Sequence, residues 1–154
     1  MNTPKWKKFE QLVAKVLQDL SPQAIVTAND KIEGKITRTK RQIDVSIRQR
    51  VGQYEMLIAI ECKDLLVPVD VKDVEETIGL IQDIGVNKGV IVSASGFTAA
   101  AKKRGENSGL ILYRLIDCGE HDWKTDVSVP VLCDCRKIKS FRLRFSGTER
   151  IIFP

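Results

Sequence analysis

The run YEMLIAIECKD, residues 54 to 64, constrains this chain more than any other stretch. Its centre, Met56 to Ile60, is unbroken apolar sequence of the kind that fills a strand covered on both faces. It then ends abruptly in Glu61, Cys62, Lys63 and Asp64. Full charges at the mouth of a buried strand cost free energy unless they are paired or put to use. Just upstream, QIDVSIR alternates Ile43, Val45 and Ile47 with Asp44, Ser46 and Arg48, the period-two pattern of a half-buried strand. Only Gly52 and Gln53 separate the two runs as a turn, and a two-residue loop there sets Val51 against Tyr54. Counted outward, that register brings Asp44 opposite Glu61. Partners on one antiparallel face have Cβ atoms about 5 Å apart, so two carboxylates meet, and Lys63 projects from the same face.

The flanking patterns place this hairpin in an α/β chain. Trp6, Phe9, Val13, Val16, Leu17 and Leu20 recur at helical spacing over residues 4 to 20, and Ser21-Pro22 stops the helix. QAIVTAND is a short strand candidate, and KIEGKITRTKR behind it reads as a mobile basic loop. After Pro68, Val71, Val74, Ile78 and Ile81 mark a second helix that Gly85 terminates. KGVIVSA is a buried strand, GFTAAAKKRGENSG a third helix capped by Thr98, and LILYRLI a further strand. Helix, three strands, helix, strand, helix, strand makes an α/β/α sandwich with a central mixed β-sheet. Residues 1 to 118 form one domain, and residues 119 to 154, with extended DVSVPVLCDC, FRLRF and IIFP, form a short β-rich extension packed on it.

Composition narrows the partners. A chain of 154 residues with 43% hydrophobic residues is enough for one domain with a real core. The 25 Lys and Arg outnumber the 20 Asp and Glu, and a net charge of +5 favours an anionic partner, nucleic acid first. The N-terminus, charged and then amphipathic, offers no continuous apolar segment for a signal or a membrane span, which points to the cytoplasm. The four cysteines are too sparse for a disulfide scaffold. Cys118, His121, Cys133 and Cys135 could in principle hold zinc, but the spacing is poor and free thiols fit better. No Gly-rich phosphate loop, serine nucleophile elbow or redox Cys-x-x-Cys is present.

Two carboxylates in a partly dry site need neutralising, and a hard divalent cation does that. Magnesium is usually held by one or two carboxylates with waters and substrate phosphate, and the Cys62 carbonyl supplies a further protein oxygen. An acid on one strand with Glu-x-Lys on the next resembles the PD-(D/E)XK nuclease superfamily. The chain is most similar to its Mrr-like restriction endonuclease family, through FEQLVAKVL, QIDVSIR, IAIECKD, NKGVIVSASGFTAAA and the strand beginning at Leu110. The first acid follows Gln42-Ile43 where the superfamily motif has a proline. The resemblance implies a metal-dependent endonuclease acting on DNA, with Asp44 and Glu61 as ligands of magnesium, for which manganese can substitute. It makes Lys63 the catalytic lysine and matches Glu10 to a helix glutamate that assists metal binding in relatives such as archaeal Holliday-junction resolvases.

Basic residues lie where DNA would pass. Lys35, Arg38, Lys40 and Arg41 immediately precede Asp44, and Lys102, Lys103 and Arg104 follow the SGFT helix start. A solvated loop and the polar face of a helix account for the same charges. Duplex cleavage by single-site domains calls for a homodimer or two successive nicks. A Holliday-junction-resolvase-like nuclease and a non-catalytic module that binds nucleic acid or protein are the alternative readings.

Overall fold

The computed structural model describes residues 3–117, 131–134 and 151–152. Along them run α1 (Lys5–Leu20), β1 (Ile25–Glu33), β2 (Lys40–Val51), β3 (Tyr54–Lys63), α2 (Val71–Ile84), β4 (Lys88–Ser93), α3 (Ala99–Asn107), β5 (Ile111–Asp117), β6 (Val131–Asp134) and β7 (Ile151–Ile152). The first eight elements follow the order read from the sequence. All seven strands join one sheet in chain order. The pairs from β1 to β3 are antiparallel, and every pair from β3 onward is parallel. Short turns close the antiparallel half, whereas α2 and α3 supply the long crossovers that the parallel pairs β3–β4 and β4–β5 require. FRLRF lies outside the described residues.

Each face of the sheet has its own core. Val13 of α1 packs with Val45, Ile47, Ile60, Val90, Val92 and Leu115 on one face. Val74 and Ile78 of α2 and Ala101 of α3 pack with Ile91 and Leu112 on the other, and Leu80 and Ile84 of α2 pack with Ile43 and Ala59. Strand alternation sorts β3 between them: Ile58, Ile60 and Cys62 turn toward α1, while Leu57 and Ala59 turn toward α2. Glu61 and Lys63 continue the α2-facing row.

Helix ends match their residues. Asp70 caps α2, accepting from Asp73 N–H at 3.1 Å, while the Asp73 carboxylate accepts from Asp70 N–H at 3.3 Å. Gly85 closes the same helix in the left-handed region with φ 68°. Thr98 caps α3 by accepting from Ala101 N–H at 3.2 Å. Trp6 departs from its expected place and is 54% exposed. It occupies the first turn of α1, ahead of Phe9, which packs against the core.

KIEGKITRTKR is not a mobile loop but the end of the β1–β2 hairpin. Lys31 to Glu33 belong to β1, Lys40 and Arg41 belong to β2, and Glu33 pairs with Lys40. The turn over residues 34–39 is fastened to the end of α2. Asp83 accepts from Ile36 N–H at 3.1 Å, from Thr37 N–H at 2.9 Å and from the Thr37 hydroxyl at 2.7 Å. Its backbone carbonyl accepts from Lys35 N–H at 2.6 Å. Arg41 adds an ion pair to the Asp83 carboxylate at 3.5 Å.

Candidate active site

β2 leaves regular strand geometry at Asp44. Its ladder with β1 pairs Ala28 with Val45 and Asp30 with Ile43 but skips the pair between, where Asn29 takes a left-handed φ of 53°. Its ladder with β3 ends at Val45 and Ile60, one step short of Asp44 and Glu61. The strand also rolls over here. Val45 packs on the α1 side whereas Ile43 packs with Leu80 and Ile84 of α2, although residues two apart share a face in a regular strand. At this rotation the Asp44 carboxylate turns to β3 and accepts from Cys62 N–H at 2.8 Å, replacing a backbone carbonyl.

Glu61 and Lys63 line an open cleft of about 460 Å³ between the hairpin end and α2, with Lys40, Arg41, Gln42 and Thr77 among its walls. Asp44 is not part of that lining; its carboxylate is held on Cys62 N–H, and its charge acts on Glu61. Burial, and then the Asp44 charge, push the Glu61 carboxyl up to about 7, against the pull of Lys63 and the Asp44 backbone N–H. Burial likewise raises Asp44, with Cys62 N–H and Lys63 opposing. Glu61 Oε1 is buried with no hydrogen-bond partner. Lys63 Nζ lies 3.9 Å from Asp73 Oδ1, at the first turn of α2.

Glu10 approaches from α1, and its pKa is raised by burial and then by Asp44. Among the described residues no three His, Cys, Asp or Glu side chains gather closely enough to hold an ion, so any further ligand beside Asp44 and Glu61 would be a carbonyl, a water or a phosphate oxygen. The Lys63 carbonyl accepts from Ala94 N–H at 3.0 Å on the β4 side. Carbonyls alternate along a strand, so that of Cys62 turns the other way, toward β2 and Asp44. The Cys62 thiol is pushed well above its ordinary range by burial and then by Asp44, Glu10 and Glu61, and stays neutral. A buried orphan carboxylate oxygen, a second carboxylate beside it and an inward carbonyl are a donor set that suits a hard divalent cation.

The catalytic-domain model of the Mrr-type restriction endonucleases matches residues 1–118. The chain belongs to the Mrr-type restriction endonuclease family. Its fold is similar to that of a protein of unknown function, AF1548, with a TM-score of 0.58 and 24% identity over 71% of this chain and 57% of that one. The DNA modification-dependent restriction endonuclease AspBHI also matches, with a TM-score of 0.48 and 22% identity over 70% of this chain and 27% of that one. The chain thus spans little more than half of the first of these proteins and about a quarter of the second. No curated protein matches the chain.

In this Mrr-type domain the basic residues divide. Lys40 and Arg41 stand in the cleft with Glu61 and Lys63. Lys35 does not line it; its Nζ donates to the Gly85 carbonyl at 3.2 Å, closing the end of α2. Arg38 is exposed in the turn with φ 56°. Lys102, Lys103 and Arg104 lie on α3, away from the cleft lining, and Arg104 pairs with Glu75 at 3.4 Å and with the Ser108 hydroxyl. Cys118, His121 and Cys135 lie outside the described residues, and Cys133 is in β6. Among the described residues no helix is long and apolar enough to cross a membrane.

Asp73 and Asn29 escaped the sequence reading as parts of the site. Asp70-x-x-Asp73 at a helix start is a visible capping pattern, and Asn is among the few residues that tolerate a left-handed φ. Neither pattern reveals that its residue stands beside Lys63 or Asp44.

Proposed function

We propose that this Mrr-type domain is a divalent-cation-dependent endonuclease that hydrolyses DNA phosphodiester bonds. One observation carries the reading: the buried, unpartnered oxygen of Glu61 beside Asp44 is a pair of acids with too few protein donors, at the mouth of a cleft that also holds Lys63, Lys40 and Arg41. Asp44, Glu61 and the Cys62 carbonyl would hold magnesium, or manganese in its place, which polarises a phosphoryl oxygen and makes a bound water more acidic. Glu10 would assist from α1, where its charge acts on Glu61.

Lys63 does the chain's own chemistry. Its ammonium would shift from Asp73 to the attacking water and the scissile phosphate, orienting one and stabilising the charge that grows on the other. Asp73 parks the lysine on the cleft side until substrate arrives. Lys40 and Arg41 would contact the backbone phosphates on either side, which position DNA without reading its sequence. Each domain carries one such site, so a double-strand cut would use two copies or two successive nicks.

Purified protein incubated with supercoiled plasmid and with branched DNA, in magnesium, manganese or EDTA, tests the reading. Nicking that requires the cation and disappears in Asp44→Ala and Lys63→Ala supports it. Cleavage that survives both substitutions, or DNA binding with no cation-dependent nicking, overturns it. Selective cleavage of branched DNA would move the activity to the junction-resolving type.

A further inference from the structure

The parallel register carries one row of side chains across the sheet. Lys63 of β3 lies beside Ser93 of β4, and Ser93 lies beside Arg114 of β5. Partners in a parallel ladder project to one face. The row two residues earlier, Glu61, Ile91 and Leu112, identifies that face, because Ile91 and Leu112 pack in the α2 and α3 core. Arg114 therefore shares the face of Lys63, two strand spacings away, or about 10 Å between Cα atoms.

Among the described residues nothing neutralises Arg114. Its Nε is buried with no hydrogen-bond partner, and among the described residues no carboxylate forms an ion pair with it. The neighbouring polar group in its row is saturated: the Ser93 hydroxyl accepts from Ser95 N–H at 3.2 Å and Gly96 N–H at 3.0 Å, and donates to the Gly96 carbonyl at 2.9 Å. Gly96, with φ 89°, lets the chain turn back there, and a Cβ at that position would lie 3.8 Å from Arg114 Cδ. The arginine stem thus runs along the turn that leads into α3, at the carboxyl end of the parallel strands. That end is where open α/β sheets hold their ligands. A guanidinium is charged at every working pH, and a half-buried one without an anion is a costly placement unless a ligand brings the anion.

We propose that Arg114 binds a DNA phosphate neighbouring the scissile one and so holds the backbone in line over the cleft of Glu61 and Lys63. Phosphate is the fitting class because the planar fork of N–H groups matches its oxygens two at a time. Arg114 is a positioning residue, standing too far along the row to touch the reacting atoms. The inference rests on the nuclease reading above.

Fluorescence anisotropy with a short labelled duplex in EDTA, across roughly 50 to 200 mM salt, tests it alongside steady-state nicking in magnesium. Arg114→Gln should weaken binding about tenfold and flatten the slope of log affinity against log salt by about one, the loss of one phosphate contact. It should raise KM and leave kcat in place, while Arg114→Lys recovers the slope and part of the affinity. Unchanged affinity and slope in a folded Arg114→Gln overturn the proposal, as does a fall in kcat with the slope intact. Should Arg114→Gln fail to fold, Arg114→Lys carries the test: its charge should preserve the slope while its single ammonium raises KM, and an unchanged KM overturns the proposal. Wild-type protein that neither binds nor nicks removes the nuclease reading and this inference together. Wild-type protein that does both, with an indifferent Arg114, removes this inference alone.

Discussion

The Asp44 carboxylate accepts a hydrogen bond at 2.8 Å from the backbone N–H of Cys62, the residue between Glu61 and Lys63. One acid is thereby fixed to the main chain between the two charged residues of the next strand. Its position is set by backbone, not by a flexible side-chain pairing, and its negative charge bears directly on Glu61.

Asp44→Asn should separate charge from geometry. The amide oxygen still accepts from Cys62 N–H, so the fold should hold, while cation-dependent nicking should fall by at least about a hundredfold. Losing the neighbouring charge should also lower the Glu61 pKa below its native value near 7, because Asp44 raises it. Carboxyl carbon NMR titration of the variant reads that shift, and an unmoved Glu61 would contradict the coupling.

Glu61 should make the cation-free protein less stable as pH rises. The carboxyl keeps its proton to about 7 when folded but ionises near its ordinary 4.5 when unfolded. The stability it contributes is fully present below about 4.5 and is lost as pH climbs through about 7, and the raised Asp44 and Glu10 act in the same direction. Thermal melts in EDTA should show Glu61→Gln with a flatter profile from about pH 5 to about pH 8, and more stable at the upper end by a few kcal/mol at most. Added magnesium should raise the wild-type Tm more at pH 8 than at pH 6, since the ligands must be ionised, and should do much less for Glu61→Gln.

Lys63→Met should abolish nicking while leaving DNA affinity within a few-fold. Asp73→Ala releases the lysine but also removes half of the α2 capping box, so its melting point should drop by an amount corresponding to about 1 kcal/mol. Its nicking should survive. Loss of activity in Asp73→Ala at a temperature where it remains folded would place Asp73 in the chemistry itself.

Asp83→Ala should loosen the turn that carries Lys40 and Arg41 to the cleft. The side chain holds Ile36 N–H, Thr37 N–H and the Thr37 hydroxyl, and pairs with Arg41. Amide exchange at Ile36 and Thr37 should speed up by about an order of magnitude, with little change in the core strands. DNA affinity should weaken, and its salt slope should persist, because the basic residues remain.

The sequence disclosed whatever depends on local pattern. The extended run through QIDVSIR, the turn at Gly52-Gln53, the stop at Gly85 and the cap at Thr98 each carry their structural meaning within a few residues, and Val51 does pair with Tyr54. What depends on partners far along the chain stayed hidden. The charge of KITRTKR was visible, but its anchor at Asp83, 46 residues from Thr37, was not. Register counting led toward Asp44 and Glu61 but assumed a regular strand, and it could not foresee the rollover that puts Ile43 and Val45 on opposite faces. Arg114 looked like one more charge on a strand until the parallel register aligned it with Lys63.

The missing rung between Asn29 and Asp44 interrupts the sheet at the proposed metal ligand. Variants selected for smoother strand pairing around Asn29 should gain rigidity and lose the tilt that presents Asp44 to its neighbour. Improvement of the scaffold and preservation of the proposed chemistry therefore pull this segment in opposite directions.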